Sequence, residues 1–149
     1  MANRIDHLFQ EWAQLGAEVL LAEKQNISVR DFHQVIAEST SYCRDSGRLT
    51  WVVLSWLIHH VEEIGEEVLI AETKENGDLS VLGVLCDAAL IKTQHTKFQN
   101  LVKVCQPAPQ LEPFFKRVAR SALALRLTQE KPLDVFKRWN YLCNELQYL

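Results

Sequence analysis

Residues 49–60 read LTWVVLSWLIHH, and residues 77–88 read GDLSVLGVLCDA. Aligned on one another, Val53 falls on Val81, Leu54 on Leu82, Ser55 on Gly83 and Leu57 on Leu85. Both stretches are apolar on nearly every side of a helix wheel, not on one stripe. A helix of that kind is covered from several directions, whereas a surface helix shows a single apolar face. Two such helices predict a central layer around which the rest of the chain packs, and they make the chain all-α.

The flanking segments follow the same 3.6-residue period. Ile5, Leu8, Phe9, Trp12, Leu15, Val19 and Leu20 make one stripe, which predicts a first helix running through Gly16 to about Lys24. Ser28 is placed as an N-cap with Asp31 in the first turn, opening a second helix to about Asp45 that buries Phe32, Val35, Ile36, Ser39 and Cys43. Ser46-Gly47 closes it. The third helix is expected over Arg48–Ile64. Glu62/Glu66 and Glu63/Glu67 would be like-charge i,i+4 pairs in one continuous helix, each costing about 0.2–0.5 kcal/mol. A break at Gly65 avoids them and starts a fourth helix over 66–75, with Val68, Leu69 and Ala71 inward. Asp78 caps the fifth helix. A sixth spans about 94–105 and buries Phe98, Leu101, Val102 and Cys105. Gln106-Pro-Ala-Pro-Gln110 is a linker. A seventh helix is expected from about Pro113, with Phe114, Val118, Ala122 and Leu125 on one face. An eighth follows Lys131-Pro132 and carries Leu133, Phe136, Trp139, Cys143 and Leu146. No segment carries a convincing strand pattern.

Eight helices with short connections read as four antiparallel helical hairpins, either a HEAT- or TPR-like stack or a closed bundle. The 149 residues suit one domain, 1–149, and 48% of them are apolar. The longest apolar run stops at His59, far short of the ~20 residues of a membrane helix, so no membrane partner is expected. No secretory leader pattern is visible at the N-terminus, and the location expected is cytoplasmic. Cys43, Cys86, Cys105 and Cys143 include no CxxC pair and sit in apolar patterns, as small buried hydrophobes do. Trp12, Trp51, Trp56 and Trp139 are expected as core anchors.

Charge is unevenly distributed. Residues 1–91 hold 6 Lys+Arg against 15 Asp+Glu, and residues 92–149 hold 10 against 4, within a net −3. Such asymmetry concerns association more than chemistry. Three constellations follow. Lys116, Arg117 and Arg120 fall in one arc of the seventh helix wheel, with Arg126, Lys131, Lys137 and Arg138 nearby, which makes a basic anion-binding face. Glu62, Glu63, Glu66 and Glu67 form an acidic patch that could meet it, within the chain or between copies. His59, His60 and Glu63 share a helix side and are candidate metal ligands, with His33 as an extra one, yet the order is the reverse of Glu-x-x-His and HExxH is absent. GxSxG, GxxxxGK[ST] and GxGxxG are absent as well. No cofactor is expected. The pattern points away from an enzyme and toward a protein-interaction module, a small regulator or adaptor whose partner is a protein. The alternatives are nucleic-acid association through the basic residues and, last, a metal-dependent helical enzyme.

Overall fold

The computed structural model describes residues 3–130 and 132–144. Its elements are α1 (Arg4–Gln14), α2 (Phe32–Thr40), α3 (Gly47–His59), α4 (Glu66–Asn76), α5 (Leu79–Ala89), α6 (Thr96–Val104), α7 (Ala122–Glu130) and α8 (Asp134–Lys137). Single 3₁₀ turns occupy 43–45, 61–63 and 116–120. The fold is all-α, with one addition: two-residue strands β1 (Glu112–Pro113) and β2 (Tyr141–Leu142) pair in parallel.

The two all-round apolar segments form the centre. In α5 every residue from Ser80 to Ala89 except Asp87 is buried, and α3 buries Leu49, Val52, Val53, Leu54, Trp56 and Leu57. Helix α3 packs on α5, α5 on α6, and α2 on α4. The caps follow from local chemistry. Asp78 Oδ1 accepts the N–H groups of Ser80 and Val81 at 2.9 and 3.3 Å, and Gly65 ends one helical run and begins the next.

Elsewhere the boundaries move. The first helix stops at Gln14, not near Lys24. Gly16 takes φ +85°, the Gly16 N–H bonds to the Ala13 carbonyl at 3.2 Å, and the Ala17 N–H bonds to Trp12 at 3.0 Å. That is a Schellman closure, which a glycine at C′ makes without steric cost. The stripe residues Val19 and Leu20 then lie outside any helix or strand, and Leu20 is exposed. Asp31, not Ser28, caps α2, accepting the His33 N–H at 2.9 Å. Helix α2 ends at Thr40, short of Asp45, and Ser46 opens α3 by accepting the Leu49 N–H at 3.1 Å. Helix α3 ends at His59, before the 61–63 turn. In α4, Leu69 and Thr73 face inward, while Val68 and Ala71 are exposed.

The seventh and eighth helices differ most. Residues 112–114 spend their backbone groups on distant partners. The Glu112 N–H donates to Asn140 at 3.2 Å and the Phe114 N–H to Leu142 at 2.9 Å, while Arg44 donates to the carbonyls of Pro113 and Phe114, both at 2.9 Å. Phe114 is fully buried, with the rings of Phe115, Phe136 and Tyr141 at 5.0–5.1 Å. A helix cannot start there without breaking these bonds. The chain makes the 116–120 turn, and Ser121 then opens α7, accepting the Ala124 N–H at 3.2 Å. Helix α8 is a single turn, after which the chain reverses through Asn140 (φ 62°) into β2. Trp139 is clamped on α5: its Nε1–H donates to Asp87 at 2.9 Å, and its ring covers Gly83, where a Cβ would lie 2.3 Å from Cζ3. Leu146 lies outside the described residues.

All four cysteines are buried, and Trp12, Trp56 and Trp139 are core residues. No described helix is long and apolar enough to cross a membrane.

Candidate functional site

The end of α3 places His59 and His60 on different partners. His59 Nδ1 sits 2.7 Å from the Ser55 carbonyl. His60 stacks on Trp56, with centroids 4.4 Å apart, and its Nδ1 lies 2.5 Å from Glu63. His33 is committed elsewhere: its Nε2 accepts the Gly65 N–H at 2.9 Å, so Nδ1 holds the ring proton and donates to Asp31 at 2.8 Å. It ties the start of α2 to the start of α4. Only His60 and Glu63 of that set meet. Among the described residues no group of three or more His, Cys, Asp or Glu side chains is arranged to hold a metal ion.

The acidic patch stands where α3 hands over to α4. Glu62, Glu63 and Glu67 are exposed and Glu66 is partly covered. Lys97 of α6 reaches under them and donates to the carbonyls of Glu62 and Ile64 at 2.7 and 2.8 Å. The Asn100 amide holds the Glu66 carboxylate at 3.2 Å. These bonds align α6 beside α4 and leave a groove of about 370 Å³ between them. Its floor is Ile70, Ala71, Leu101 and Val104, with Glu66 and Glu67 near one end and Lys74 toward the other. Val104 is 50% exposed.

The basic residues do not share one α-helix. Lys116, Arg117 and Arg120 lie on the 116–120 turn, and Arg126 lies on α7. Lys116 is 3.4 Å from Asp45, Arg117 lies over the Phe115 ring, and Arg126 Nε is 3.9 Å from Glu130. Lys131 lies outside the described residues. Helix α7 leans on the 116–120 turn and contributes Thr128 to the interior. Its outer face is apolar: Leu123 and Leu127, one turn apart, are 59% and 47% exposed. The two leucines make an exposed apolar ridge beside Arg126 and its ion-pair partner Glu130.

A further cluster joins α1, the 17–31 segment and α2. Arg30 grips Glu11 through two bonds of 2.9 and 2.6 Å and reaches Glu38 at 2.8 Å, and Arg4 holds Glu38 through two more at 2.5 Å. Glu11 is 0% exposed. Arg4 and then Arg30 hold the Glu38 carboxyl below the ordinary carboxylate range, while Glu11 chiefly raises the Arg30 guanidinium. All three nitrogens of the Arg30 guanidinium face a carboxylate, and Arg4 adds two bonds to Glu38, so the cluster acts as a structural clasp.

Two features escaped the sequence reading although the signal was present. On a wheel Leu123 and Leu127 fall together, opposite Leu125, so only one side of ALALRL can face the body. Glu11 falls among Leu8 and Trp12 on the buried stripe, which requires a cationic partner. Compared with known proteins, the chain matches no family model, no curated protein and no solved structure.

Proposed function

We propose that the chain is a non-enzymatic protein-interaction module, a small regulator or adaptor, whose recognition element is the 116–130 segment. The observation that carries this reading is the outer face of α7, where Leu123 and Leu127 are open to solvent beside Arg126. An interface core needs apolar anchors with charge at its rim. A nucleic-acid backbone needs cations and gains nothing from leucines between them. The partner is therefore a protein surface that is apolar with an acidic edge.

The test is a photo-cross-linking residue at Leu127, activated in cells that make the protein naturally. The expected adduct is destroyed by protease, resists nuclease and disappears with Arg126→Glu. A nuclease-sensitive adduct would replace this reading with nucleic-acid association through Lys116, Arg117, Arg120 and Arg126. No adduct would remove both.

A further inference from the structure

The groove between α4 and α6 and the ridge on α7 match in length and apolar character and are opposite in the order of their charges. The groove is apolar along its floor, with Glu66 and Glu67 at the end where α4 begins and Lys74 near its far end. The ridge is apolar along Leu123 and Leu127, with Arg120 before it and Glu130 at its end. Laid parallel, the two helices set Arg120 against Glu66 and Glu67, and Glu130 against Lys74. An antiparallel arrangement sets like charges together. The nine residues of α7 span about 13 Å at 1.5 Å per residue, which fits within the eleven residues of α4. Within one chain α7 rests on the 116–120 turn, whereas the groove is walled by α4 and α6.

We propose that the partner of α7 is a second copy of this chain, which receives Leu123 and Leu127 in its α4–α6 groove. This rests on the reading of α7 as a protein-binding element. The contact is heterologous: each copy donates a ridge and accepts one, so copies add head to tail. It is smaller than the ~800 Å² per partner of a standard interface, so association is weak and concentration-dependent.

Light scattering after gel filtration of the full chain reads this directly. The 17.2 kDa chain rises in mean mass with concentration, and the rise shrinks several-fold as salt is raised and screening shortens from ~10 Å toward ~3 Å. Leu123→Asp destroys the ridge and Ala71→Arg blocks the groove; both positions are exposed, and circular dichroism confirms that the variants fold. Each variant alone stays at monomer mass, while their mixture forms a species of twice that mass and no larger. Glu67→Lys weakens association of the otherwise unaltered chain, and adding Arg120→Glu restores it. A chain that stays monomeric at every concentration overturns the proposal. So does an Ala71→Arg variant that still associates, which would mean a ridge-to-ridge contact. If the purified chain stays monomeric while Leu127 cross-links to a different protein in cells, self-association fails and the protein-binding reading stands.

Discussion

Arg30→Met will destabilise this chain more than Glu11→Gln, although both changes break the same bonds. Glu11 is fully buried, and among the described residues the basic side chains within 4 Å of its carboxylate are Arg30 and, at 3.5 Å, His7. Removing Arg30 strands a carboxylate in the core, where an uncompensated partner costs about 3–5 kcal/mol. The Arg30 side chain is 35% exposed, so some water reaches the site and the lower end, about 3 kcal/mol, applies. Removing the charge from Glu11 instead leaves Arg30 near solvent and still bonded to Glu38, at the cost of a charged hydrogen bond, about 1.5–3 kcal/mol, partly recovered by the amide. The double variant Arg30→Met/Glu11→Leu strands nothing and should be more stable than Arg30→Met alone. Urea unfolding followed by tryptophan fluorescence reports this well, because Trp12 follows Glu11 and donates to Ser39 at 3.0 Å. With m near 1–3 kcal/mol/M, Arg30→Met lowers the midpoint by about 1–3 M. With Glu11→Leu measured alone as well, a double variant whose loss equals the sum of the Arg30→Met and Glu11→Leu losses would refute the argument, since it would mean that Glu11 and Arg30 do not depend on each other.

Three further outcomes follow from the same geometry. Gly83→Ala drives a methyl into the Trp139 ring; overpacking of this kind costs about 1–3 kcal/mol, and hydrogen exchange should show protection lost first around residues 132–144. Glu38 titrates below its unfolded value, so it contributes stability above the ordinary carboxylate range, about pH 4.3, and that contribution disappears as pH falls through the lower folded value. Acid unfolding of Glu38→Gln will lack that part of the slope. Burial pushes the Cys43 and Cys105 thiols up to about 12, and Cys86 well up as well, so a thiol reagent at pH 8 should leave the native chain unlabelled over minutes and react fully in denaturant.

What the sequence could tell depended on the range of the forces involved. The all-round apolar character of α3 and α5, the Asp78 cap and the break at Gly65 are local, and each sits where the residues imply. The first helix misled because its stripe continues into Val19 and Leu20, while the stop signal is a single glycine whose left-handed conformation the sequence does not display. The seventh helix misled because Phe114 and Val118 keep helical spacing, while the competing structure depends on Arg44 and on residues 140–142, contacts that no local window contains. The acidic side chains at Glu62–Glu67 need no long-range partner to cluster and were legible. The leucine ridge was equally legible, since Leu123 and Leu127 lie outside the arc of Phe114, Val118, Ala122 and Leu125 that the seventh-helix pattern turns inward.

Because the native thiols are buried, Leu127→Cys turns the ridge itself into a reporter. Its labelling rate in dilute purified protein and in intact cells that make the chain naturally tests the account most directly. Fast labelling in the dilute protein with strong protection in cells, relieved by Arg126→Glu, is the predicted result. Equal labelling in both settings, or protection already present in the dilute protein, would contradict it.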